Sequence, residues 1–177
     1  MLRTILFGLL ALLLAGIAYI ASRPSGFLIS RSAVIVAQPE AVFPLLNDFH
    51  QWIRWSPYEK LDPNMKRTFD GPESGPGAGY AWSGNGDVGE GWMKILDARS
   101  PKSVTIDLEF SRPFRTKNLT TFTLLPLEGG TRVIWSMKGE NGFLGKAVSL
   151  FVEMDALVGK DFEQGLANLD KAARNAD

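Results

Sequence analysis

Hydrophobic residues follow three different rhythms along this 177-residue chain, and each rhythm predicts a different kind of element. The first is continuous. Thr4 to Ala21 (TILFGLLALLLAGIAYIA) is an 18-residue run without charge, preceded by Arg3 and followed by Arg23-Pro24. A helix needs roughly 17–25 apolar residues to cross a bilayer, so this run predicts a membrane anchor. It is apolar all round, unlike the one-sided helix of a soluble core. The alternative is a cleaved signal peptide with Gly16-Ile17-Ala18 as its small-x-small site, but the apolar run continues through Tyr19 and Ile20. Residues 1–25 are therefore read as anchor and linker, and 26–177 as one domain. The short tail ahead of the anchor favours an inside N-terminus and a domain on the extracytoplasmic side.

The second rhythm is alternation. Leu28–Ala37, Lys66–Asp70, Tyr80–Ser83, Gly91–Ala98, Ser103–Phe110, Lys117–Leu125 and Thr131–Lys138 read as seven strands. The last is the clearest: Val133, Trp135 and Met137 share one face, and Arg132, Ser136 and Lys138 the other. Val104, Ile106, Leu108 and Phe110 alternate in the same way. Between the strands, Gly71–Gly79 predicts a loop, and Asn85-Gly86 predicts a type I′ hairpin turn with φ > 0 at Gly86.

The third rhythm is helical. Val42, Phe43, Leu45 and Leu46 follow Pro39, which suits a first helical turn. Asn47-Asp48 caps a second short helix through Trp52, and Ser56-Pro57 ends it. Leu144, Val148, Phe151, Val158, Phe162, Leu166 and Leu169 form one stripe, predicting a single long helix over Phe143–Ala173. Helices grouped around a run of strands imply an α+β fold, a bent antiparallel sheet of about seven strands wrapped on the C-terminal helix.

Composition removes several functions. The chain has 19 basic and 19 acidic residues, and residues 26–177 keep 17 and 19, so no nucleic-acid partner is expected. No Cys and a single His leave no thiolate chemistry, no Cys-ligated or His-rich metal site and no cofactor motif. Gly84-Asn85-Gly86-Asp87-Val88-Gly89 fits G-x-G-x-x-G, but a strand follows it where a dinucleotide site needs a helix. Gly75-Pro76-Gly77-Ala78-Gly79 lacks the Lys-Ser/Thr of a P-loop. Asn118-Leu119-Thr120 is a glycosylation triplet placed on a predicted strand. No third group is spaced to make a catalytic triad with His50, which is read as exposed or capping.

The order β-α-α-β6-α resembles the helix-grip fold of the START-like superfamily, and more closely its SRPBCC branch of polyketide cyclase/dehydrase and lipid-transport proteins. The resemblance rests on Ala37-Gln38-Pro39-Glu40-Ala41-Val42-Phe43, on Asp48 through Tyr58 (DFHQWIRWSPY), and on Asp62-Pro63. It continues in Gly130 through Trp135 (GTRVIW) and Gly159 through Leu166 (GKDFEQGL), so that it spans most of residues 28–172. It implies a cavity between sheet and C-terminal helix. Fold alone does not fix function.

Trp52, Trp55, Tyr58, Trp82, Trp92 and Trp135 bring large flat surfaces to one domain, as core filling or as walls of an apolar pocket. With the resemblance, the expected ligand-binding set is Trp55, Tyr58, Trp82, Trp92, Phe110, Trp135, Met137, Phe151, Asp155, Val158 and Phe162. Asp155 stands out as an acid within an apolar stripe, at the open end of the groove or paired with Arg112, Arg115 or Lys117. The expectation is a membrane-tethered domain holding a hydrophobic small molecule or lipid, with residues 4–21 in the membrane. An enzyme of polyketide cyclase/dehydratase type would use the same cavity, with Asp155, Glu109, His50 and Tyr58 as loose polar candidates. An interaction module would have a filled core instead.

Overall fold

The structure, a computed structural model, describes residues 2–150 and 153–174. Helix α1 (Leu2–Ser22) leads into β1 (Gly26–Ile35), α2 (Pro39–Asn47) and two 3₁₀ turns, Phe49–Arg54 and Pro57–Lys60. Six strands follow: β2 (Lys66–Asp70), β3 (Gly79–Ser83), β4 (Glu90–Arg99), β5 (Ser103–Arg112), β6 (Thr116–Leu127) and β7 (Gly130–Glu140). Helices α3 (Phe143–Val148) and α4 (Met154–Arg174) complete the described chain. The seven strands form one antiparallel sheet in the order β1-β7-β6-β5-β4-β3-β2. The first strand in sequence is thus an edge strand beside the last. This is the α+β architecture expected from the alternation.

The inward face is set by period two. On β6, Asn118, Thr120, Phe122 and Leu124 are buried, and on β7 Val133, Trp135 and Met137. Register brings Phe122 opposite Trp135 and Leu124 opposite Val133, while Asn118 faces Gly139 and Thr120 faces Met137. The inward face is therefore apolar at one end and polar and open at the other. Helix α4 lies across it through Phe162, Leu166 and Leu169, all buried. The α2 turn closes the apolar end. Its last carbonyls lack intrahelical partners, and two indoles take them: Trp55 Nε1 donates to Leu45 O at 2.8 Å and Trp52 Nε1 to Leu46 O at 3.3 Å.

Two local expectations are corrected. The long C-terminal helix is two helices. Ser149 Oγ takes the Lys146 carbonyl at 2.8 Å at the end of α3, and Phe151 lies outside the described residues. Leu144 and Val148, expected on the buried stripe, are exposed, because α3 lies towards α1 instead of on the sheet. Lys146 Nζ donates to Ala21 O at 3.1 Å across that contact. The β3–β4 connection is also longer than a two-residue turn. Asn85 Oδ1 accepts from the Asp87 and Val88 amides, and the positive φ of 64° falls on Gly89, not Gly86. A Cβ at Gly89 would run into the Arg112 carbonyl, so the site needs glycine for space as well as for conformation.

Candidate functional site

Between the open end of the sheet and α4 lies a cavity of about 360 Å³, within the range of small-molecule pockets. Of the residues expected to bind a ligand, Tyr58, Trp82, Phe110, Trp135, Met137, Val158 and Phe162 line it. Trp55, Trp92 and Asp155 do not. Trp55 is fully buried beneath the cavity, edge-on to Phe122 and Trp135. Trp92 is on the outward face of β4, opposite Glu109, because the inward positions of that strand are Gly91, Met93 and Ile95. Asp155 sits outside on the first turn of α4.

Asp155 does have an ionic partner, but it is Arg31 and not the expected Arg112, Arg115 or Lys117. Arg31 reaches inward from β1 and donates to Asp155 Oδ2 and Glu163 Oε1, each at 2.9 Å. The Arg31 hydrogen bond holds the Asp155 carboxyl below the usual carboxylate range. A side chain at Gly159 would occupy the space of the guanidinium, which accounts for a glycine in the middle of this helix. Arg115 and Lys117 instead clamp Glu109 on the outward face, at 2.9 and 3.0 Å, and Lys117 first, then Arg115, lowers its pKa. His50 also lies outside the cavity. Its ring stacks on Phe69, 4.0 Å between centroids, and its Nδ1 is 2.9 Å from Asp48 Oδ1, the oxygen that also caps the turn through His50 N.

Most of the cavity wall is apolar, and besides Ser56, Asp87, Thr116 and Asn141 it carries three groups of polar side chains. The first is a closed network. Glu59, buried, accepts from Tyr80 Oη at 2.6 Å and from Arg67 Nε at 2.6 Å, so both carboxylate oxygens are satisfied. Burial first, and then the hydrogen bond to Glu59, pushes the Tyr80 phenol far above its ordinary value. The second group is Tyr58 facing Asp161 of α4. Burial is the main cause that raises both pKa values. The Asp161 charge adds to the rise of the phenol, whereas the hydrogen bond from Tyr58 partly offsets the rise of the carboxyl. The third group is Asn118, Thr120 and Trp135. Glu59, Asn118, Thr120 and Asp161 are outside the ligand-binding set expected from the sequence, where Asn118 and Thr120 figure only in a glycosylation triplet. Only the β6 pair left a signal there: polar residues at alternate positions that continue the apolar face of Phe122 and Leu124.

The rim is apolar. Phe114, in the β5–β6 connection, and Leu157, on α4, line the cavity while remaining more than half exposed. Asn141, another lining residue, donates its backbone N–H to Ser25 O at 2.7 Å, three residues beyond α1. Among the described residues, no three His, Asp or Glu side chains gather as a metal-ligand set.

A curved antiparallel sheet gripping a C-terminal helix over an apolar cavity defines a helix-grip domain. The chain belongs to the polyketide cyclase/dehydrase and lipid transport family, whose model matches residues 27–174. In fold it is similar to protein MLL2253 from Mesorhizobium loti, with TM-score 0.62 and 18% identity over 85% of this chain and 99% of that one. Protein CV1439 from Chromobacterium violaceum aligns with TM-score 0.60 and 15% identity over 82% and 96%. The Aha1 protein of Colwellia psychrerythraea, solved as a dimer, aligns with TM-score 0.60 and 18% identity over 85% and 98%. At these identities the likeness is one of fold. No curated protein matches the sequence.

Proposed function

We propose that this chain is a membrane-tethered domain that binds a hydrophobic small molecule or lipid in the cavity between its sheet and α4. The observation that carries the reading is the cavity itself, about 360 Å³ with mainly apolar walls, in a fold whose family description includes lipid transport. A filled core, as an interaction module would have, leaves no such space.

In this reading α1 is the anchor and residues 26–177 are the binding domain. Arg3–Ser22 has a mean hydropathy of 2.4 and is long and apolar enough to cross a membrane. The three-residue linker between α1 and β1 keeps the domain near the bilayer surface. Asn141 joins the cavity wall to that linker, and the exposed Phe143, Leu144 and Val148 of α3 sit beside the end of α1. These features favour a cavity that exchanges its ligand with the adjacent lipid. Two measurements test the proposal. The full chain should remain in the membrane pellet through carbonate extraction, and mass spectrometry of the purified full chain should find a stoichiometric apolar molecule. A soluble mature form beginning near Tyr19, or an empty protein that binds no apolar dye, would overturn it.

A second reading, an enzyme of cyclase or dehydratase type, rests on Tyr58 and Asp161. A carboxyl with a raised pKa beside a half-buried phenol in an apolar cavity is a suitable proton donor. Conversion of a bound polyketide-like substrate that is abolished in Asp161→Asn would favour it over simple binding.

A further inference from the structure

The cavity wall contains a polar cluster whose hydrogen-bonding capacity is unused. Asn118 Oδ1, Thr120 Oγ1 and Trp135 Nε1 are buried side-chain atoms without a partner, and their residues are at most 5% exposed. All three residues line the cavity, and they account for three of the four such atoms among the described residues. Buried polar atoms are nearly always paired, so unpaired ones gathered in one cavity call for a ligand or water. Asn118 and Thr120 are inward neighbours on β6, and Trp135, inward on adjacent β7, stands opposite Phe122, the next inward position after Thr120. Asn118 Nδ2 is held towards Thr116 Oγ1 at 3.4 Å, leaving Oδ1 free. Opposite Asn118 stands Gly139, where a Cβ would fall on that oxygen and within 3.0 Å of the Phe27 ring. The glycine makes the room that this oxygen occupies. Asn118-Leu119-Thr120 therefore presents both polar side chains to the interior, out of reach of a glycosylating enzyme.

Chemistry narrows the ligand. Asn118 Oδ1 accepts, Trp135 Nε1 donates, and Thr120 Oγ1 does either. A carbonyl or ether oxygen would leave the Asn118 acceptor unmet. A hydroxyl can donate to Asn118 and accept from Thr120 or Trp135. Charge narrows it further: no Lys, Arg or His lines the cavity among the described residues, while Glu59, Asp87 and Asp161 do. A buried carboxylate or phosphate would meet no cation there. We infer that the cavity selects an uncharged apolar molecule bearing a hydroxyl group, seated with that hydroxyl on Asn118, Thr120 and Trp135. The inference rests on the binding reading above and specifies its ligand class.

Three probes with the same chain separate the possibilities: 1-dodecanol, dodecane and dodecanoate at pH 8. Each competes with the neutral dye N-phenyl-1-naphthylamine for the full chain in lipid nanodiscs, with empty nanodiscs correcting for partition. 1-Dodecanol is expected to displace the dye at about tenfold lower concentration than dodecane, the worth of one or two hydrogen bonds, with dodecanoate weakest. Thr120→Val, nearly isosteric, and Asn118→Leu should each reduce that preference, and Thr120→Ser should retain it. The Trp135 indole N–H resonance should move with 1-dodecanol and not with dodecane. Equal displacement by alcohol and alkane, as when water alone satisfies these atoms, overturns the inference and leaves apolar binding standing. So does a stronger effect of dodecanoate, or a hydroxyl preference that survives both Thr120→Val and Asn118→Leu. A wild-type protein that never binds the dye overturns the binding reading as well.

Discussion

Trp135 of β7 and Phe162 of α4 lie face to face, with ring centroids 4.0 Å apart and planes within 7°. The same indole touches Phe122 at 5.0 Å and Trp55 at 5.6 Å between centroids. Sheet and helix thus meet through an aromatic layer that is also the floor of the cavity. Phe162 is 2% exposed, so its packing is not replaced by solvent. Phe162→Ala should cost about 3–5 kcal/mol, read as a lower denaturant midpoint. An unchanged midpoint would mean that α4 is held elsewhere.

Gly165 lies one turn beyond Phe162 along the same contact. Alanine in a helix interior ordinarily stabilises by about 1 kcal/mol over glycine. Here the added Cβ would sit 2.6 Å from Trp135 Cζ3 and 3.1 Å from Pro57 Cδ. Gly165→Ala should therefore destabilise by roughly 1–3 kcal/mol, the cost of overpacking. Thermal unfolding gives the sign directly, and a raised Tm would contradict the close approach of helix and sheet.

The strands, the facing of their residues and the apolar part of this layer were legible because period two leaves an unambiguous trace in Val133-Trp135-Met137 and Val104-Ile106-Leu108-Phe110. Trp92 was misplaced although Gly91, Met93 and Ile95 carry the same trace; an aromatic-rich set is a poor guide to facing. What could not be read is the meeting of distant side chains. Arg31 and Asp155 are separated by 124 residues, and Tyr58 and Asp161 by a comparable stretch of chain, so no local spacing announces either pair. An unbroken helix, as the sequence pattern predicts, places Asp155 within the apolar stripe. With α3 turned towards α1, Leu144 and Val148 are exposed, and among the described residues the part of that stripe packed on the core begins at Val158. Asn85-Gly86 misled for a similar reason, since the Asn85 side chain caps a wider loop in place of the backbone turn.

Two carboxylates should give opposite pH dependences. Lys117 and Arg115 lower the pKa of Glu109 in the folded state. Its contribution to stability is present above the unfolded carboxylate pKa and is lost as the pH falls through the lower folded value. Glu109→Gln should therefore be less stable than wild type at neutral pH, and the gap should close in acid. Asp161 has a folded pKa raised by burial. Its contribution is fully present below the unfolded pKa and is lost as the pH rises through the folded value. Asp161→Asn keeps an acceptor for Tyr58 and should gain on wild type between acid and neutral pH. Denaturant midpoints measured from pH 3 to 8 check both, and parallel curves for either variant would show its shift to be absent.

Val158 gives the sharpest test of whether the interior is filled or open. It is half-buried, lines the cavity from α4 and stands one helical turn before Phe162. In a filled core, Val158→Phe would overpack and lower stability by about 1–3 kcal/mol. With the cavity empty, the larger ring has room in the space that Met137 and Trp135 also line, and it adds apolar contact where the wall now faces space. The expected result is a Tm close to wild type together with a clear loss of affinity for a neutral apolar dye, because the ring occupies ligand volume. The two readouts must be taken on the same preparation. A dye that binds the variant as well as wild type, at unchanged Tm, would mean that the cavity is not where ligand sits. A strongly lowered Tm would mean that the interior closes around Val158, and that the space between sheet and helix is smaller than a ligand needs.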